Sequence, residues 1–199
     1  MVDYSQNGEQ EHILTFLKDM GLDQGHILEF GAGDGVTMSN TKALRDMGWT
    51  ADLYDGKASG NVKQAWISLD WFNKKQRLAC DLFCIDIDGN DYHILERCFL
   101  ALSFKPSLIV AEINPIFERH EIAIMPYKAD HQWAEDTWYG MSLAAAERLC
   151  GDYGYRLAYL HAGINAFFVP EQHAHLCRPI AYRQKWDHRP HQHRTPWIR

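Results

Sequence analysis

The chain has 199 residues, 46% of them hydrophobic and 13% aromatic, which suffices for one compact domain with a real core and is short for two. Its net charge of −6 and pI near 6.0 offer nucleic acid no general basic face. Nothing approaches the run of about 18 apolar residues that a membrane-spanning helix needs, and the polar start "MVDYSQNGEQEH" lacks the basic and apolar regions of a secretory leader, so a cytoplasmic protein is expected.

In chain order, "EQEHILTFLKDMG" carries Ile13, Leu14, Phe16, Leu17 and Met20 on an amphipathic helical stripe, with Gly21 at the C-terminal cap position. "HILEF" predicts a first strand that ends in the glycine-rich turn "GAGDG". Residues 37–47, "TMSNTKALRDM", read as a helix stopped at Gly48. "TADLY" and "VKQAWIS" predict the next two strands, and "LDWFNKKQRL" a helical link. "CDLFCID" is the fourth strand, and "DYHILERCFLAL" a helix with Asp91 as its N-cap. "PSLIVAEIN" is the fifth strand. Residues 115–140 follow as an irregular stretch holding Phe117, Tyr127, Trp133, Trp138 and Tyr139. "SLAAAERLCGDYG" is a helix with a glycine exit, and "YRLAYLH" and "INAFFV" are two closing strands.

Strands alternating with helices imply βαβ units and a mostly parallel, buried sheet. The short "AG" link between the last two strands leaves no room for a crossover helix, so that pair must be antiparallel. One domain over residues 1–181 is expected, followed by a tail at 182–199. The tail has five Lys/Arg against one Asp, so the net −6 divides into +4 there and −10 over the body. With His188, His191, His193, Trp186 and Trp197, the tail reads as a solvated extension with one tryptophan tucked against the domain. The five cysteines, at 80, 84, 98, 150 and 177, show no paired short spacing and read as reduced core thiols of an intracellular protein. "HAHLC" alternates His173, His175 and Cys177 but has no fourth ligand at finger-like spacing.

The first strand and turn read Glu29-Phe30-Gly31-Ala32-Gly33-Asp34-Gly35. Glycines let the backbone turn tightly and let a ligand approach a helix N-terminus. The dinucleotide fingerprint places its third glycine one residue later, where this chain has Val36. Asp55, 22 residues beyond Gly33 at the tip of the second strand, suits the two hydroxyls of a ribose, with Asp52 as the rival.

The fourth strand delivers Asp86 and Asp88 to the carboxyl edge of the sheet, and the fifth places Glu112 and Asn114 at the neighbouring tip. So much negative charge in one place calls for a metal, a bound sulfonium or a network of substrate hydroxyls. "DIDG" also echoes the Asp-x-Asp-Gly-Thr start of haloacid-dehalogenase-type phosphatases. Here Asn90 replaces the Thr, and the motif lies mid-chain.

Taken in order, "YSQNGEQEHIL", "EFGAGDG", "LFCIDIDGNDYHIL", "LIVAEINP", "YGMSLAAAERL" and "GYRLAYLHAGINAFFV" resemble FkbM-like methyltransferases, a branch of the class I S-adenosylmethionine-dependent enzymes. The resemblance spans about residues 4–170. It implies a seven-stranded Rossmann-like sheet with helices on both faces and S-adenosylmethionine as methyl donor. It also implies a hydroxyl acceptor on a small molecule or sugar. Glu29, Gly31, Gly33 and Asp55 would then hold the cofactor, with Ala32, Gly35 and Ser68 as further contacts and Asp86 beside the methionine end. Asp86 or Asp88 is the expected base, or Asp86, Asp88, Glu112 and Asn114 ligate Mg²⁺ or another divalent cation. His161 and His93 are alternative bases. "DGKASG" departs from the family's Pro-rich turn. The rivals are a non-catalytic scaffold of the same shape and a nicotinamide-dependent oxidoreductase, which Val36 disfavours.

Overall fold

Strands and helices alternate through most of the computed structural model, which describes residues 2–57, 59–74, 78–101, 103–185 and 196–199. The strands are β1 (His26–Phe30), β2 (Thr50–Asp55), β3 (Lys63–Gln64), β4 (Leu82–Ile85), β5 (Leu108–Glu112), β6 (Tyr155–His161) and β7 (Asn165–Pro170). They form one seven-stranded sheet in the order β3-β2-β1-β4-β5-β7-β6. β1 to β5 pair in parallel, and β7 runs antiparallel to both β5 and β6. The α/β class, the mostly parallel sheet and the antiparallel C-terminal hairpin are all as expected. The hairpin turn holds Ala162 at φ 50 and Gly163 at φ 75, with the Ile164 N–H on the His161 carbonyl at 3.0 Å. Positive φ at both central residues gives the turn whose twist matches paired strands.

The helices are α1 (Glu9–Asp19), α2 (Lys42–Asp46), α3 (Asp91–Phe99) and α4 (Leu143–Asp152). β4 and β5 are apolar at nearly every position because both faces of the sheet are covered. Ile13, Phe16 and Leu17 of α1 pack on Ile27, Leu82, Cys84, Leu108, Val110 and Phe167. On the opposite face, Ile94 and Leu95 of α3 and Leu149 of α4 pack on Leu28, Phe30, Phe83, Ile85, Ile109 and Ala111. Each such large side chain stabilises the fold by about 1.5–3 kcal/mol. Because strand side chains alternate, Glu29, Asp86 and Glu112 fall on the α1 face, two residues on from Ile27, Cys84 and Val110.

Several elements are shorter than their sequence pattern. α2 covers Lys42–Asp46 rather than 37–47, because the Asp34 carboxylate accepts the Val36 and Thr37 N–H groups and winds that stretch into a turn. β3 is two exposed residues at the sheet edge. The link after it is a 3-10 turn, Leu69–Lys74, and the rest of that expected helix lies largely outside the described residues. α1 does end as expected: Gly21, at φ 73, gives its N–H to the Lys18 carbonyl at 2.9 Å.

Part of the tail lies against the body. Trp197 packs edge-on to Phe117 and Trp138, and Ile198 exchanges both backbone bonds with Ile124 at 2.9 Å. Trp186, His188, His191 and His193 lie outside the described residues. Four cysteines are buried and Cys177 is exposed, and all five are unpaired. Among the described residues, no helix is long and apolar enough to cross a membrane.

Candidate functional site

β1 and β4 are neighbours whose connections leave in opposite directions, so their carboxyl ends form the switch point where open α/β sheets bind ligands. The glycine turn closes over that point. Gly31, at φ 86, passes so near the Asp86 carbonyl that any Cβ would collide with it. The turn's N–H groups face inward. Those of Gly31 and Ala32 reach the Tyr54 carbonyl at 3.0 and 3.1 Å. Gly33 N–H reaches Asp55 Oδ2 at 2.9 Å, and Gly35 N–H the Ala32 carbonyl at 2.8 Å. With Val36 and Thr37 held by Asp34, the turn keeps no row of donors for a phosphate.

Asp55 is clamped beside this turn, because its other oxygen accepts the Lys57 N–H at 2.7 Å. Asp52 instead engages Lys63 at 2.5 Å and His26 at 3.2 Å. Glu29 is buried and accepts the Thr41 hydroxyl at 2.6 Å. Burial raises its proton affinity, against the pull of that hydroxyl and of Arg45. It therefore braces the turn from beneath rather than facing the cleft. Ala32 is buried against Leu53 and Val62. Gly35 also abuts Val62, where a Cβ would come within 2.9 Å. Ser68 opens the 3-10 turn, its carbonyl accepting the Trp71 N–H at 3.0 Å.

Asp86, Asp88 and Glu112 each present a carboxylate oxygen within 4.8 Å of the others. Asp86 and Glu112 are hydrogen-bonded to each other. Burial, then the charges of Asp88 and Asp91, push Asp86 up to about 8. Burial and the neighbouring carboxylates hold Glu112 well above the usual range. The pair therefore shares a proton at neutral pH. Glu112 Oε2 is enclosed and has no hydrogen-bond partner.

Local chemistry explains how β4 delivers these groups. Asp91 is fully buried and its two oxygens accept the Ile87 and Gly89 N–H groups, both at 2.9 Å. The turn is wound around that carboxylate, so Asn90 rather than Asp91 takes the N-cap position of α3. Asp88 sits at φ 53, a left-handed backbone that non-glycine residues adopt at a cost of about 1–2 kcal/mol. His131 Nε2 donates to the Asp88 carbonyl at 3.1 Å, and its ring lies where a Cβ on Gly89 would be. Burial holds the His131 imidazole below its ordinary proton affinity. Asn90 and Lys128 exchange hydrogen bonds of 2.8 and 3.1 Å. "GND" thus builds the turn, while "DID" supplies the site.

The other expected residues are elsewhere engaged. Asn114 donates to the Thr137 and Tyr139 carbonyls, each at 3.0 Å, and accepts the Ile116 N–H at 3.3 Å. Its amide positions the aromatic segment rather than joining the carboxylates. Within that segment Phe117, Trp138 and Tyr139 are buried, and Trp133 keeps 36% exposure. His93 Nε2 donates to the Met125 carbonyl at 2.8 Å. His161 Nε2 donates to the Asn7 carbonyl at 2.7 Å, and β7's Asn165 stands between it and Glu112 in the sheet register. It lines the same edge but lies apart from the trio. Asn165 in turn donates to buried Glu9 at 2.8 Å, which ties the start of α1 to this edge. Among the described residues, His173, His175 and Cys177 form no metal-ligand group.

His131, Asp91's inward role and the Glu9–Asn165 bond have no sequence signal, because each partner lies across the fold or contacts only backbone. No model of a known protein family matches the chain, and no curated protein matches it. The assembled edge can hold a ribose-like diol at Asp55, accept protons at Asp86 and attract a cation to three clustered carboxylates.

Proposed function

We propose that this chain is an S-adenosylmethionine-dependent methyltransferase that methylates a hydroxyl on a small molecule or sugar. The observation that carries the reading is the charge character of the edge. A glycine turn whose glycine and alanine donors are internally engaged, a clamped carboxylate at the β2 tip and an acidic floor favour a nucleoside that bears positive charge. The same features disfavour a pyrophosphate, and with it a nicotinamide cofactor. The seven strands and antiparallel end agree with the Rossmann-like methyltransferase sheet that the sequence resemblance implies.

When bound, S-adenosylmethionine supplies an electrophilic methyl group on sulfonium. The chain's own residues do the rest. Asp55 orients the ribose, and the buried pair on the floor excludes water beneath the acceptor. Asp86, which keeps its own proton until about pH 8, suits the removal of the acceptor's hydroxyl proton once it is ionised. Asp88 brings its own carboxylate beside it. A divalent cation fits Asp86, Asp88 and Glu112, since these are hard oxygen donors and Glu112 Oε2 is enclosed without a partner. There it would polarise the acceptor hydroxyl as a Lewis acid.

Calorimetric titration with S-adenosylmethionine and S-adenosylhomocysteine, with and without Mg²⁺, tests the reading. Micromolar binding is expected, weakened by about tenfold or more in Asp55→Ala, a change of ~1.4 kcal/mol or more. Absence of binding in every condition would overturn it and leave a non-catalytic protein of the same shape.

A further inference from the structure

Trp66 is an exposed tryptophan held rigid at two ends. It keeps 45% of its surface exposed, yet its indole Nε1 donates to the Ala129 carbonyl at 2.7 Å. Its six-membered ring lies on Gly56, where a Cβ would meet ring carbons at 2.8 and 3.0 Å. Gly56 directly follows Asp55. Ala129 belongs to the stretch that Lys128 and His131 tie to the β4 turn. Tyr127, two residues before Ala129, accepts the Leu69 N–H on its hydroxyl at 3.0 Å and fastens the same stretch to the chain beyond Trp66. The ring therefore spans from the tip of β2 to the wall over the tip of β4, on the carboxyl edge, against the residue that follows Asp55.

A surface tryptophan loses rotamer freedom when pinned and leaves apolar area in water, so packing alone gives little reason for this arrangement. A fixed, part-exposed indole packed on the residue after a fixed carboxylate matches a flat heterocycle joined to a diol. The glycine and alanine N–H groups of the turn beside it are all engaged within the chain, which disfavours a ligand with a phosphate there.

We propose that Trp66 is the base-stacking platform of this site, with a purine on its open face and the attached ribose at Asp55. The inference rests on the methyl-donor reading and adds to it which residue selects the base. It also makes adenosine alone a sufficient ligand.

Calorimetry with S-adenosylhomocysteine and with adenosine on the full chain, compared with Trp66→Ala, Trp66→Leu and Trp66→Phe, tests it. Trp66→Ala should bind both ligands about tenfold or more weakly, as expected for loss of a stacked base. Trp66→Leu, which keeps apolar bulk over Gly56, should behave like Trp66→Ala, and Trp66→Phe should retain most of the affinity. The H2 and H8 protons of adenosine should shift upfield on binding to the wild type and to Trp66→Phe only. Equal S-adenosylhomocysteine affinity in all variants, with unshifted base protons, would overturn the stacking platform and leave the donor reading standing. Wild-type protein that binds neither ligand would overturn both. Circular dichroism separates a folding defect from lost stacking, because Trp66→Leu and Trp66→Phe both keep apolar bulk over Gly56 and only one keeps an aromatic face.

Discussion

Asp86 is held as an acid where a carboxylate is the ordinary state, and this has a consequence for stability. Well below the ordinary aspartate value of 3.8, both the folded and unfolded chains carry its proton. As pH rises past that value the unfolded chain releases the proton, while the folded chain keeps it until about pH 8. Asp86 therefore weakens the fold increasingly across that window. Asp86→Asn keeps a donor to Glu112 and removes the penalty. In urea titrations with chelator present it should match the wild type at about pH 4 and exceed it by about 1–2 kcal/mol at pH 8. Gly31 and Gly33 give a second contrast. Both have positive φ, but a Cβ at Gly31 would strike the Asp86 carbonyl and one at Gly33 would meet nothing within 4 Å. Gly33→Ala should cost about 1–2 kcal/mol of unfolding free energy from backbone strain alone. Gly31→Ala should cost more than ~3 kcal/mol or fail to fold, because the neighbouring strand end must move.

The β4–α3 turn and the 196–199 strap are small elements held by bonds to distant backbone. The turn depends on a buried carboxylate at Asp91 and on His131 across the fold. The strap depends on Ile198 pairing with Ile124, on Trp197 between Phe117 and Trp138, and on an ion pair from Arg199 to Glu121. Ile124 also bridges Met141, so the strap supports the segment that Asn114 anchors beside the carboxylates. Ile198→Pro removes one donor and the local geometry. By scanning calorimetry it should lower stability by about 1–2 kcal/mol, or roughly 2–8 °C in Tm. These elements also mark how far the sequence was legible. β4 and β5 follow from apolar pattern because their burial is nearly uniform, and α1 because its apolar stripe is the face it buries. α2 and β3 fall short of their pattern because Asp34 and the departure of Trp66 toward Ala129 interrupt them.

Across the whole molecule, one sheet covered on both faces carries every candidate group on a single edge. Strand–helix alternation and the short link between the last strands determined the α/β class, the parallel body and the antiparallel end, because periodicity and loop length are local properties. The sequence likewise determined which residues stand at strand ends: Gly31, Asp55, Asp86, Asp88 and Glu112. Tertiary structure decided what each of them does. Glu29 turned inward to Thr41, Asn114 to backbone carbonyls and His161 to Asn7, because each found a nearer partner once the chain was packed. The shared proton of Asp86 and Glu112 exists only where two separate strand ends meet away from bulk water. Trp66 acquired its place only when Gly56 and Ala129 came to either side of it, since proximity across the fold, unlike a strand's period, is written in no single stretch of sequence.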